Sequence, residues 1–268
     1  MSEHPTKEVV LLMPLGSPKV RPDPDQLRKM IGLLDLTSLS AGDTPESIRA
    51  LCRRALAPRS DEPALRVAGV CVYPALVSVA AAELAGSGLS LASVAGGFPD
   101  GQASLVVKML EAADAVANGA SEIDLVINRG AALSGDLDLV WREIRGVRDA
   151  IEKVTLKVIL ETGQLADPAL IRTMARLAID AGADFLKTST GAIKIGATPE
   201  AVDLLAQVAA QASRPIGIKP AGGISTVAAA SALLAIAEAH LGPLDATRFR
   251  FGASGLLNRL LEALEPGE

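Results

Sequence analysis

The stretch Ala183-Asp-Phe-Leu-Lys-Thr-Ser-Thr-Gly191 decides how this chain is read. A short apolar segment, Phe185-Leu186, runs into Lys187, three hydroxyl residues and a glycine. A buried strand that ends in lysine sets an amine at the rim of a sheet. The glycine after it permits a turn that can approach a ligand closely. The design recurs at Pro215-Ile-Gly-Ile-Lys-Pro-Ala-Gly-Gly223, where the apolar run ends in Lys219. Two lysines at neighbouring strand ends can share one site, with the rest of the chain as the scaffold that brings them together.

Outward from these two segments, the same strand-then-helix unit fills the sequence. Further strands are predicted at 33–37, 67–72, 89–95, 122–127, 155–160 and 248–251. Thr44-Pro45-Glu46 and Thr198-Pro199-Glu200 each open a helix with a capping hydroxyl, a proline in the first turn and an acid suited to the positive helix end. Asp167-Pro168 opens another, and Asp25 is read as the cap of a short first helix through Ile31. Helices are also expected over 75–85, 102–118, 136–152 and 225–239, with a last one after Gly252-Ala-Ser-Gly255. No linker or composition break interrupts the series. About eight short strands, each followed by a helix, predict a single (β/α)₈ TIM barrel over residues 23–268, with residues 1–22 as an N-terminal extension. A doubly wound open sheet is the alternative, but no strand precedes a dinucleotide-type glycine fingerprint.

Composition excludes several function classes. A chain of 268 residues, 49% hydrophobic, can bury a large core. With only 2% aromatic residues, that core must rest on Leu, Val, Ile and Ala. The formal charge of −5, without a basic run interleaved with aromatics, argues against a nucleic-acid partner. No apolar run reaches about 18 residues, so no membrane span is expected. Val9-Val-Leu-Leu-Met13 is too short for a signal peptide and follows Glu8. Cys52 and Cys71 are the only cysteines and read as reduced thiols of a cytoplasmic protein. His4 and His240 are the only histidines, which disfavours a histidine triad or a histidine-based metal site.

Barrel active sites lie at the C-terminal ends of the strands. The polar residues expected there are Asp35, Thr37, Cys71, Asp124, Lys157, Lys187 and Lys219. A charge inside an apolar strand is costly unless it is paired or put to use. Asp124 reads as a residue with a task rather than a cap. Lys157 is balanced between a catalytic role and an interior ion pair. Cys71 reads as a small buried hydrophobe. A lysine attacks carbonyls only as the neutral amine, which its ordinary pKa of about 10.4 makes scarce at neutral pH. Desolvation and a neighbouring cation both favour that form. An aspartate can then shuttle protons while a carbinolamine and a Schiff base form. The cluster points to imine chemistry at a carbonyl, with no metal and no organic cofactor. Glycine turns after the sixth and seventh strands, and Gly252 to Gly255 at a helix start, offer backbone N–H groups to an anion such as a phosphate.

The motifs Leu34-Asp-Leu-Thr37, Cys71-Val-Tyr-Pro74, Glu122-Ile-Asp-Leu-Val126, Leu156-Lys-Val-Ile-Leu-Glu-Thr-Gly163 and Arg250-Phe-Gly-Ala-Ser254, with the two lysine segments, run in one order through the chain. In this they resemble the deoxyribose-phosphate aldolases, class I aldolases. The resemblance implies a (β/α)₈ barrel that reversibly cleaves 2-deoxy-D-ribose 5-phosphate to acetaldehyde and D-glyceraldehyde 3-phosphate, a step of nucleoside catabolism. It makes Lys187 the Schiff-base nucleophile, Lys219 the neighbouring cation that activates it, Asp124 the proton handler and Lys157 a support of the network. It places Asp35, Thr37, Cys71, Thr190, Gly191, Gly222, Gly223, Gly252 and Ser254 around the substrate. Three positions depart from the pattern: Ala192, Ser225 and Gly255 stand where many relatives have lysine, arginine and serine, all in the phosphate region. Some members also use a C-terminal tyrosine in proton transfer, and Tyr73 is the only tyrosine here. Two further readings stay open: a related aldolase preferring unphosphorylated aldehydes, and a barrel that binds a sugar phosphate without catalysis. The intact Lys187, Lys219 and Asp124 set speaks against the second. Alanine-rich helices offer surfaces for a homodimer without fixing its interface.

Overall fold

The computed structural model describes residues 23–265; the expected extension over residues 1–22 lies outside them. Helix α1 (Pro24–Ile31) leads into β1 (Leu34–Thr37) and α2 (Pro45–Leu56). After β2 (Gly69–Val72), a 3-10 turn at Pro74–Leu76 enters α3 (Val77–Leu84). Then come β3 (Ser90–Ala95), α4 (Leu105–Ala117), β4 (Glu122–Val126), α5 (Arg129–Ser134) and α6 (Leu137–Ile151). They are followed by β5 (Thr155–Ile159), α7 (Thr162–Leu165), α8 (Pro168–Asp180), β6 (Phe185–Lys187) and α9 (Pro199–Ala210). The chain ends in β7 (Gly217–Lys219), α10 (Val227–Leu241), β8 (Phe251–Ala253) and α11 (Leu256–Leu264). The strands are parallel neighbours in the order β7-β6-β5-β4-β3-β2-β1-β8. Bridges Ile218–Phe249 and Ala221–Gly252 join the two ends, closing a (β/α)₈ barrel.

The helix starts follow their caps. Thr44 accepts the Ser47 N–H at 3.2 Å while the Ser47 hydroxyl accepts the Thr44 N–H at 2.9 Å, a reciprocal capping box. Thr198 accepts from Ala201 N at 3.1 Å and Asp167 from Ala169 N at 2.9 Å. Asp25 is not the first cap: Asp23 holds that place, and Asp25 pairs with Arg28 at 3.2 Å in the first turn. The eighth strand begins at Phe251 rather than Arg248, because regular pairing exists only with β1, where Leu34 faces Phe251. Toward β7 the segment makes isolated bridges. Helices α5 and α7 were not expected. Asn128 caps α5 by accepting from Ala131 N at 3.0 Å, and Gly135 ends it at φ 82.

Strand alternation sorts the side chains. Ile123, Leu125, Leu156, Val158, Leu186 and Ile218 join the apolar layer between barrel and helices. Their neighbours Glu122, Asp124, Lys157, Lys187 and Lys219 turn inward, where they meet one another. Cys52 and Cys71 are both buried free thiols. Among the described residues no helix is long and apolar enough to cross a membrane.

Candidate active site

The barrel axis carries an ion ladder. Lys187 and Lys219 end β6 and β7 in register with each other, and both donate to Asp124 Oδ2 at 2.7 Å. Lys157, in register with Asp124, donates to Asp124 Oδ1 at 2.9 Å. It also donates to Glu122 Oε2 one layer deeper. Lys219 Nζ stands 2.5 Å from Asp35 Oδ2, an ion pair without hydrogen-bond alignment, and Lys157 lies 3.7 Å from the same oxygen. Arg250 closes the ladder from below: its guanidinium donates to Asp35 Oδ1 at 2.5 Å, Glu122 Oε1 at 2.9 Å and Ser90 Oγ at 3.2 Å.

Burial by itself raises a carboxyl pKa. At Asp124 that penalty is outweighed by Lys157, Lys187 and Lys219, which hold the group well below the usual carboxylate range. At Asp35 it is outweighed by Lys219, Arg250 and Lys157, again lowering the pKa. Burial pushes the other way at Lys219, but Asp124 and Asp35 prevail and raise it above an ordinary lysine. Asp124 and Glu122 do the same at Lys157. Burial, then the Asp124 charge, push the Cys71 thiol up to about 11. It therefore remains S–H at neutral pH, 3.9 Å from Asp124 Oδ2.

Above the ladder opens a cleft of about 870 Å³. Lys187 lines it, whereas Lys219, Asp124 and Lys157 do not. Lys187 is 2% exposed and Lys219 0%, so the two amines differ in access although they share an oxygen. Asp35 and Cys71, expected to touch substrate, lie in the buried layer below and have no surface on the cleft. Thr37, Thr190, Gly191, Gly222, Gly223, Gly252 and Ser254 all line it.

The glycines there are used for close approach. Gly222 and Gly191 adopt φ +77 and +86, and a Cβ on Gly222 would lie 3.1 Å from the Gly191 Cα. The turns after β6 and β7 therefore pack backbone on backbone. Ala197 N ties them further by donating to both Ala221 O and Gly222 O at 3.0 Å. A Cβ on Gly252 would lie 3.2 Å from Lys219 Cε and 2.8 Å from Ala221 Cβ, so only glycine leaves the lysine its path.

Sequence reasoning missed Glu122, Arg250 and Glu161. Glu122 lies two residues before Asp124 and so on the same strand face, and Arg250 stands between Phe249 and Phe251. Both carried the signal used for Asp124, a charge inside an apolar run. Glu161 is fully buried and sits at φ 54, a left-handed conformation unusual for a residue with a side chain. Its carboxylate accepts the Thr190 N–H at 3.2 Å and the Thr190 hydroxyl, and Arg129 lies 3.5 Å away. Of the hydroxyls after Lys187, Thr188 instead binds the β7 turn, accepting from Ala221 N at 3.0 Å.

A lysine amine at the floor of an open cleft, backed by a buried acid and a second lysine, is an arrangement suited to attack on a carbonyl. Comparison with known proteins places the chain in a family. The DeoC/LacD family aldolase model matches residues 29–261. A Coccidioides immitis protein assigned as a deoxyribose-phosphate aldolase is 34% identical over 89% of this chain and 87% of its own, with TM-score 0.76. The deoxyribose phosphate aldolase from Aeropyrum pernix, a tetramer, is 30% identical over 90% and 92%, with TM-score 0.71. A Toxoplasma gondii ME49 protein assigned to the same activity is 27% identical over 91% and 98%, with TM-score 0.80. The match spans all eight strands and every cleft-lining residue but Glu262, and this chain belongs to the DeoC/LacD family of aldolases.

Proposed function

We propose that this aldolase reversibly cleaves 2-deoxy-D-ribose 5-phosphate to acetaldehyde and D-glyceraldehyde 3-phosphate through a Schiff base on Lys187, as a cytoplasmic enzyme of deoxynucleoside breakdown. One observation carries the assignment of the nucleophile: Lys187 alone of the ladder opens on the cleft, while Lys219 is shut beneath it on the same Asp124 oxygen. Charge balance points the same way. With Lys187 neutral, the carboxylates of Asp35, Glu122 and Asp124 offset Lys157, Lys219 and Arg250. A buried ladder without net charge avoids the cost of an uncompensated ion.

The neutral Lys187 amine attacks the C1 aldehyde of the open-chain sugar, giving a carbinolamine that loses water to an iminium. The iminium accepts the electron pair of the C2–C3 bond as the C3 hydroxyl gives up its proton. D-Glyceraldehyde 3-phosphate leaves and an enamine remains. Protonation at C2 and hydrolysis release acetaldehyde and restore the amine. Asp124, kept ionised by the Lys157 and Lys219 charges, does not store a proton. It aligns Lys187 and Lys219 on one oxygen and relays protons through water. Lys219 keeps its positive charge beside the reacting nitrogen, and Lys157 holds the far oxygen of Asp124. The backbone N–H groups of the turns at Gly191, Gly222 and Gly223, with Ser254 beside them, receive the phosphate, and Thr190, held on Glu161, shapes the Gly191 turn.

Borohydride reduction in the presence of acetaldehyde, followed by peptide mapping, tests the reading. A reduced two-carbon adduct is expected on Lys187. An adduct on Lys219 alone would reverse the assignment, and no adduct would remove the Schiff-base mechanism.

A further inference from the structure

We propose that Arg259, on α11, is the specificity-determining cation that binds the terminal phosphate of the acceptor aldehyde. The inference rests on the aldolase reading above. Among the described residues lining the cleft, Lys187 and Arg259 are the only cationic side chains, and Lys187 is committed to the carbonyl. Ala192 and Ser225 line the same cleft without charge, and Lys194 is exposed outside it.

Helix α11 adds a second contribution. It is a nine-residue helix whose N-cap, Gly255, lines the cleft, with no side-chain cap and no acid in its first turn. Its first N–H groups and positive end are therefore left for a ligand. Arg259 is four residues after Gly255, on the same helix face, and helical side chains lean toward the N-terminus. A guanidinium there can reach an anion seated on that helix end.

At present Arg259 Nη1 bridges Glu262 Oε2 at 3.0 Å, with the two side chains 61% and 63% exposed. An ion pair so open to water holds weakly. A phosphate dianion matches the planar guanidinium fork with two parallel bonds and outcompetes it. Glu262, which also lines the cleft, returns to solvent when Arg259 turns inward.

The test is kcat/KM for 2-deoxyribose 5-phosphate and for 2-deoxyribose in the wild type, Arg259→Gln, Arg259→Lys and Glu262→Gln. Arg259→Gln should lower the value for the phosphate about tenfold or more, mainly through KM, and leave the unphosphorylated sugar unchanged. Arg259→Lys should recover part of the loss, and Glu262→Gln should match or exceed the wild type on the phosphate. Inhibition of 2-deoxyribose cleavage by inorganic phosphate should weaken in step. Equal effects on both sugars, or no effect on either, would overturn the role of Arg259. Acetaldehyde–borohydride labelling of the Arg259→Gln protein separates the two readings. A labelled Lys187 with unchanged phosphate preference sinks only this inference, whereas an unlabelled wild type sinks the aldolase reading and this inference with it.

Discussion

Lys187 and Lys219 donate to one and the same oxygen, Asp124 Oδ2, each at 2.7 Å, yet only Lys187 reaches the cleft. Sharing an acceptor places two amines of like charge side by side, an arrangement that favours one charged and one neutral partner. Asp35 decides between them, since it adds a second carboxylate against Lys219 at 2.5 Å. The doubly paired lysine is the one shut beneath the cleft, and the singly paired one is the one that opens on it.

Removing the Lys219 charge should therefore take away the cation that shares Asp124 Oδ2 with Lys187. In Lys219→Leu, Asp35, Glu122 and Asp124 keep only Lys157 and Arg250 as buried partners below the cleft. Turnover at pH 7 should fall about 100-fold or more and recover in part at high pH. A pH–rate profile of the variant checks this. A profile superimposable on the wild type would separate Lys219 from the activation of Lys187.

Asp124→Asn should damage stability as well as chemistry. The amide leaves three lysines around a neutral group, and breaking a buried ion pair from one side costs about 3–5 kcal/mol. The pH dependence follows from the direction of the shifts. Asp124 and Asp35 are depressed below their ordinary value of 3.8, so their stabilisation is present above that value and is lost as pH falls through the folded-state pKa. Lys219 is raised above 10.5, so its stabilisation is present below 10.5 and is lost as pH climbs through its folded-state value. Urea midpoints against pH should show an acid limb below about pH 4 in the wild type, and Asp124→Asn should flatten it. Activity per folded molecule should still be lost; retained activity would make Asp124 a structural residue.

Glu161→Gln should act on binding more than on chemistry. The carboxylate holds both the N–H and the hydroxyl of Thr190, and Thr190 Oγ1 in turn accepts from Ala192 N at 3.1 Å. Loosening this chain disturbs the turn offered to the phosphate while leaving Lys187 on Asp124. KM for the phosphorylated sugar should rise roughly 3- to 10-fold, with kcat little changed and Lys187 labelling intact. A fall in kcat with KM unchanged would place Glu161 in the reacting network instead.

The repeated unit of strand, lysine and glycine turn was legible because buried parallel strands and cap residues leave local signatures. The fold and the neighbourhood of Lys187, Lys219, Asp124 and Lys157 follow from them. The roles of Asp35 and Cys71 were not legible, since depth along a barrel axis depends on shear between strands and not on position within one. Arg250 carried a visible signal between two phenylalanines, but its partners were not legible: it precedes β8, in a segment that only bridges β7, and Asp35 and Glu122 are far away in sequence. Arg259 lacked any motif, because what matters is its place one turn beyond a helix end that only the closed barrel brings to the cleft.

The last prediction concerns the uncharged positions in the phosphate region. Ala192, Ser225 and Gly255 line the cleft beside Gly222 and Gly223, so the wild type offers a phosphate backbone N–H groups, hydroxyls and Arg259 alone. Each further charge-assisted hydrogen bond is worth roughly 1.5–3 kcal/mol, about tenfold or more in affinity. The wild type should accordingly prefer 2-deoxyribose 5-phosphate over 2-deoxyribose less strongly than the Ala192→Lys, Ser225→Arg double variant. Two added cations should raise that ratio of kcat/KM by at least about tenfold, act through the phosphorylated sugar alone and steepen its salt dependence. They should also lessen the loss caused by Arg259→Gln when the three substitutions are combined, since the cations then serve one anion together. A ratio left unchanged by the double variant would show that the backbone turns and Arg259 already saturate the site, and that the neutral residues at 192 and 225 cost this enzyme no discrimination.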